Sequence, residues 1–151
     1  MSGPATPDEA FMRLAIAEAL RNHGLTAPNP SVGCVLVRDG AVLAAAATAP
    51  GGRPHAEEQA LAAAGEAARG AVAYVTLEPC GARSAGNASC ATLLAQAGVQ
   101  RVVIACEDPS PLASGQGVER LRAAGIMVET GVLAGEAEFL YAAWIKSLRS
   151  Q

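Results

Sequence analysis

Aromatic side chains are nearly missing from this sequence: Phe, Tyr and Trp together make up 3% of its 151 residues, and Trp144 is the sole tryptophan. The interior must therefore be filled by aliphatic side chains, alanine foremost, since apolar residues as a group reach 51%. Lysine is scarcer still. Lys146 stands alone beside the arginines, and 11 cations face 14 acids for a net charge of −3. Nucleic-acid partners call for a basic face, and single strands for aromatic stacking platforms as well. With neither in the sequence, no nucleic acid is expected and a small molecule is the expected partner. Long apolar runs are lacking too: the longest, roughly Ala41 to Pro50, falls short of the about 20 residues that span a bilayer. No membrane association is expected. Asp8, Glu9, Arg13 and Glu18 break up the opening apolar pattern, which does not match a secretory leader. The expected location is the cytoplasm, where four cysteines point to metal binding or burial before disulfides.

The length suits one domain over residues 1–151, with Met1 to Pro7 expected to be disordered. Apolar residues at helical spacing predict a first helix over Asp8–Asn22, stopped at His23-Gly24. The prolines of Ala27-Pro28-Asn29-Pro30 require a loop. Val32–Val37 and Val42–Ala47 flank Asp39-Gly40, the signature of a hairpin. A helix over Ala56–Arg69 follows, then strand Val72–Leu77, helix Ala88–Ala97 and strand Arg101–Cys106. Helix Gly117–Ala124, strand Met127–Thr130 and a closing helix Glu136–Leu148 complete the chain. Strands alternating with helices predict an α/β protein of three α/β/α layers, a central mixed sheet of about five strands with helices on both faces. Ligand sites in such sheets collect beyond the carboxyl ends of the strands. That places three loops in view: the one before His55, the one with Glu78-Pro79-Cys80, and the one with Asp108-Pro109-Ser110-Pro111.

His55-Ala56-Glu57, Pro79-Cys80 and Cys90 carry the chemistry. Catalytic zinc takes three protein ligands and keeps its fourth tetrahedral position for water. His55, Cys80 and Cys90 supply one imidazole and two thiolates. Glu57, two residues after His55 in the first turn of a helix, is placed to move protons without ligating the metal. This division of labour is that of zinc deaminases. Alone, a His-Ala-Glu helix start fits simple favouring of the helix dipole by Glu, and a buried cysteine pair fits inert packing; the ordered combination points to zinc. The spacing from Cys80 to Cys90 is wider than the usual Cys-x-x-Cys. Cys34 and Cys106 are expected in the core, and His23 at a helix C-terminus.

Over nearly its whole length the sequence resembles the deaminase domain of bacterial riboflavin biosynthesis enzymes. The matching stretches are Pro28-Asn29-Pro30-Ser31-Val32-Gly33-Cys34, Pro54-His55-Ala56-Glu57 and Tyr74-Val75-Thr76-Leu77-Glu78-Pro79-Cys80. Ala97-Gly98 before Arg101-Val102-Val103 and Asp108-Pro109-Ser110-Pro111 with Gly115 and Gly117 extend the match. In that family the second cysteine ligand lies further along than Cys-x-x-Cys. The resemblance implies a cytidine-deaminase-like fold with Zn2+ on His55, Cys80 and Cys90, and Glu57 as proton shuttle. It also implies water attack on the amino-bearing carbon of a diaminopyrimidinone carrying a phosphoribosylamino group. Asn29 looks like a base contact, the alternative being an Asx turn between prolines. Asp108 resembles the sugar-side contact, and Ala56 and Ser110 are further expected substrate-binding positions. Ser110 stands where the family has Asn. Between the cysteine ligands the family has a His and a Gly-Arg/Lys-Thr-Pro-Pro run. Here Gly81 to Ser89 is one residue longer and has neither the His nor the prolines. Arg83, its only cation, either meets a phosphate bidentately or is simply exposed.

Homo-oligomers are common for this fold, and one is expected here; the apolar closing segment around Phe139, Tyr141 and Trp144 would pack on the sheet or on a partner. No dinucleotide-binding pattern follows, so deamination without the family's second, reductive step is expected. Alternatives within enzymes are deamination of another free base or nucleoside, of the guanine, cytosine or adenosine type. Outside enzymes, a zinc-stabilised binding module would need a fourth protein ligand from Cys34 or Cys106. A dithiol redox role for Cys80 and Cys90 lacks the Cys-x-x-Cys spacing.

Overall fold

A computed structural model describes residues 6–81, 89–109 and 114–149. Helix α1 runs Pro7–Asn22, and Thr6 caps it: its Oγ1 accepts from Glu9 N–H while Glu9 Oε1 accepts from Thr6 N–H. This reciprocal capping box satisfies two otherwise orphaned donors. It also brings Thr6 and Pro7, expected in a disordered lead, into ordered structure. Strands β1 (Gly33–Arg38) and β2 (Ala41–Ala47) form the expected hairpin. Its turn residues Asp39 and Gly40 both have positive φ, +52° and +79°, the backbone that lets a tight turn follow the twist of its strands.

The remaining elements are α2 (Ala56–Ala64), β3 (Val72–Leu77), α3 (Cys90–Ala97), β4 (Arg101–Cys106), α4 (Gln116–Ala123) and β5 (Met127–Thr130). The sheet order is β2-β1-β3-β4-β5. β1 is antiparallel to both β2 and β3, whereas β3, β4 and β5 are parallel, so the expected mixed five-stranded sheet is borne out.

Two layers flank it because side chains alternate across each strand. Cys34 and Leu36 of β1 and Val102 and Ile104 of β4 face a core shared with α2, α3 and α4. Val35, Val37, Val103 and Ala105 face the opposite core, shared with α1 and the closing segment. Alanines at the helix contacts, such as Ala15, Ala19, Ala60 and Ala91, are fully buried, which is how so few aromatics suffice. Gly33 marks the closest approach: a Cβ there would overlap the Ala15 carbonyl oxygen of α1.

Two expected helices differ. The one predicted over Ala56–Arg69 ends as α-helix at Ala64, because Gly65 takes a positive φ (+58°) and a 3₁₀ turn Gly65–Ala68 follows. The closing helix is three pieces: α5 (Ala134–Ala137), a 3₁₀ turn Glu138–Leu140 and α6 (Ala142–Arg149). Tyr141 separates the last two because its buried side chain is held by the sheet rather than by helical register. Cys34 is buried as expected; Cys106, expected in the core, is only partly buried. No described helix is long and apolar enough to cross a membrane.

Candidate metal centre

The carboxyl ends of β3 and β4 face the same way as the amino end of β1 and the carboxyl end of β2, since β1 and β3 are antiparallel. The loops that leave these ends gather the candidate residues. His55 is the N-cap of α2, and its N–H donates to Glu58 Oε2 at 3.2 Å, which holds the helix start rigid. Cys80 lies just beyond β3. Cys90 is the first residue of α3, where Ser89 Oγ accepts from Thr92 N–H at 3.1 Å as N-cap.

His55, Cys80 and Cys90 present their ligand atoms within 4.8 Å of one another. His55 Nδ1 lies 3.3 Å from Cys90 Sγ, and the Cys90 backbone N–H donates to Cys80 Sγ at 3.1 Å. The hydrogen bond from the Cys90 side chain is the largest of the influences that push the Cys80 thiol down to about 4, against the opposing effect of burial; His55 and the Cys90 N–H act in the same direction. A thiolate is the ligating form of cysteine, so the donor set fits a zinc ion with one imidazole and two sulfurs. Neither Cys34 nor Cys106 belongs to the group, so three protein donors converge and a closed four-ligand structural site is not formed by the described residues.

Glu57 is 4% exposed. Burial is the largest cause that raises its carboxyl, to about 7, with the nearby Cys80 adding to the rise and a backbone hydrogen bond and His55 opposing it. Desolvation disfavours the charged form of an acid, which leaves Glu57 poised to exchange a proton near neutrality. It lines a cavity of about 120 Å³ together with His55, Cys80, Asn29, Asp108 and Trp144.

Of the expected substrate positions, Asn29 and Asp108 therefore reach the cavity. Asn29 makes no Asx turn: its Nδ2 donates across to Gly52 O at 3.0 Å, tying the Pro28–Pro30 loop to the one before His55. Thr48 reinforces that tie, its Oγ1 accepting from Val32 N–H at 2.9 Å. Ala56 is fully buried in the core shared by α2, α3 and α4 and is not among the residues that line the cavity. Arg83 and Ser110 lie outside the described residues.

Sequence reasoning missed Glu78 and Trp144, which line the same cavity. Glu78 is 4% exposed. Its Oε1 accepts from Asp108 N–H and Gly115 N–H, and its Oε2 from Val118 N–H, each at 3.1 Å. One carboxylate thus fastens the β4 loop and the start of α4 to the residue two before Cys80. A Cβ on Gly117 would overlap the Pro79 carbonyl oxygen, so α4 also presses directly on the chain leading to the cysteine. The available signal was an acidic residue closing an otherwise apolar strand, directly before Pro-Cys.

Residues 5–106 match the model of the cytidine and deoxycytidylate deaminase zinc-binding region, and the chain belongs to that family. Within it, the chain is similar to riboflavin-biosynthesis deaminases, as the sequence motifs implied. It is 46% identical over 143 residues to the riboflavin biosynthesis protein RibD of Escherichia coli, covering 95% of this chain and 39% of that protein. A diaminohydroxyphosphoribosylamino-pyrimidine deaminase of Buchnera aphidicola is 38% identical over 143 residues, covering 95% of this chain and 97% of the relative. Among solved structures, RibD of Acinetobacter baumannii superposes with a TM-score of 0.89 at 45% identity, over 93% of this chain and 40% of that one. The chain thus spans about two fifths of the length of RibD relatives but nearly all of the Buchnera deaminase. The cytidine-deaminase-like fold and the zinc cofactor read from the sequence are borne out.

Proposed function

We propose that this chain hydrolytically deaminates the diaminopyrimidinone that carries a phosphoribosylamino group in riboflavin biosynthesis. The observation that carries this reading is Glu57, buried and with its carboxyl raised to about 7, in one cavity with the His55, Cys80 and Cys90 donor group and with Asn29 and Asp108. His55, Cys80 and Cys90 would hold the zinc, which when bound would acidify a water for attack. Glu57 accepts the proton that water gives up on attacking the amino-bearing ring carbon. It returns the proton to the departing nitrogen, so that ammonia leaves and a ring carbonyl remains. Asn29 Oδ1 has no protein partner among the described residues and is assigned to the ring's polar edge; Asp108 is assigned to the sugar. Arg83 and Ser110 remain proposed substrate contacts on the resemblance alone. A small-molecule substrate also suits the acidic balance of −3.

Ammonia release is the test, measured for the zinc-loaded protein on this pyrimidine, guanine, cytosine, cytidine and adenosine. The pathway pyrimidine is expected to be turned over in preference to the rest. Preference for another compound would replace the substrate while leaving the chemistry, and the altered Gly81–Ser89 segment would be the place to seek the cause. Glu57→Gln is expected to lower turnover at least a thousandfold with zinc content unchanged; ordinary activity in that variant would refute the role given to Glu57.

A further inference from the structure

The cavity of the metal centre is lined by polar groups, among them His55, Glu57, Asn29 and Asp108, and by apolar ones, among which Trp144 is the only Phe, Tyr or Trp of the described residues. Trp144 also borders a neighbouring groove of about 470 Å³ beside Pro28, Asn29 and Pro30, so it contributes to the lining of both spaces. It is only partly buried, and its Nε1–H has no acceptor among the described residues. A planar ring with an unused donor, in the same cavity as Glu57, is suited to a flat heterocycle.

The position of this ring is fixed through the sheet. Tyr141, 2% exposed, shares a hydrogen bond of 2.6 Å between its Oη and Thr76 Oγ1 on β3. Thr76 Oγ1 also accepts from Gly33 N–H at 3.0 Å. The Tyr141 carbonyl in turn accepts from Ile145 N–H at 2.8 Å, across the first turn of α6. The strand that leads to Cys80 therefore also anchors the helix that carries Trp144.

We infer that Trp144 is a specificity-determining residue, the wall against which the pyrimidine ring of the substrate packs; this rests on the deaminase reading above. Because it is the chain's single tryptophan, its fluorescence reports that contact without help from activity. Zinc-loaded wild type would be titrated with triaminopyrimidinone, the base part of the proposed substrate, while binding is followed separately by equilibrium dialysis. A saturable change in emission at the dialysis midpoint is expected. In turnover, Trp144→Ala is expected to raise KM at least tenfold with kcat within about threefold, and Trp144→Phe to restore most of the KM. Trp144→Leu keeps bulk without the ring and serves should the alanine variant fail to fold.

Bound base with unchanged emission would overturn the inference, as would a KM within twofold of wild type in Trp144→Ala or Trp144→Leu at full zinc content. Absence of binding by dialysis would overturn it too. Emission that responds to the base in a protein that deaminates no pyrimidine would sink the functional reading and leave the contact standing.

Discussion

Replacing Glu78 by glutamine changes one oxygen for an NH₂ group and almost no volume, so its cost isolates the carboxylate's hydrogen bonds, three of them among the described residues. The least damaging orientation keeps the amide oxygen where Oε1 sits, still accepting from Asp108 and Gly115, and turns the NH₂ toward Val118 N–H. Donor then meets donor. Loss of that charge-assisted bond, with Val118 N–H left buried and unpaired, costs about 1.5–3 kcal/mol. The two bonds that survive become neutral and roughly half as strong, about 0.5–1 kcal/mol each. The expected total is about 2.5–5 kcal/mol, read as a lower urea midpoint at unchanged m-value. Because the released segments carry Asp108 and press on Pro79, KM for the pyrimidine should rise as well. Glu78→Gln with a stability loss under about 1 kcal/mol and wild-type KM would refute the reasoning, since the carboxylate would then be holding neither loop.

Asp8 is held below the ordinary carboxyl value of 3.8 chiefly by its hydrogen bonds from the Arg101 guanidinium, with Tyr74 adding to the effect. A depressed folded-state value means that its stabilisation is complete above that ordinary value and is lost as pH falls through the folded one; Asp8→Asn should therefore flatten the acid limb of the unfolding free energy against pH, and an unaltered limb would count against the clamp. Removing zinc with a chelator should lower stability, by about 2.7 kcal/mol where free metal had stood at a hundred times its Kd. Cys90→Ser should leave the protein with less than half its zinc, measured by atomic absorption; full occupancy in that variant would remove Cys90 from the ligand set.

Strand and helix order was legible because each strand is short, apolar and bounded by turn residues, and Asp39-Gly40 specified its hairpin almost alone. The metal ligands were legible because zinc chemistry restricts residue type and order. What escaped were residues whose role depends on distant partners. Glu78 caps elements that begin at Asp108 and Gly115, a relation no local pattern encodes. Trp144 is expected from its pattern to pack on the sheet or on a partner, whereas in the structure it lines the cavity. The expected closing helix over Glu136–Leu148 breaks for the same reason: the chain is α-helical over Ala142–Arg149, but just before it Tyr141 is held by Thr76 on the sheet.

Strand β3 explains how a site built from loops acquires fixed geometry. Its Ala73 and Val75 face the core of α2–α4. The intervening positions are polar and buried, Tyr74 and Thr76, and two more partnered groups, Glu78 and Cys80, follow just past the strand. Each reaches a different element: Tyr74 Oη donates to Asp8 of α1, Thr76 meets Tyr141 and Gly33, Glu78 takes Asp108 and the start of α4, and Cys80 Sγ takes the start of α3. An isolated polar side chain in such a strand would cost stability. Four in sequence, each partnered, instead tie α1, the closing segment, the Asp108 loop and the start of α3 to one stretch of chain. Residues supported by a strand are held more precisely than residues supported by their own loop. The chain leading to Cys80 is therefore fixed through β3 and its partners, while His55 and Cys90 are set by the starts of α2 and α3.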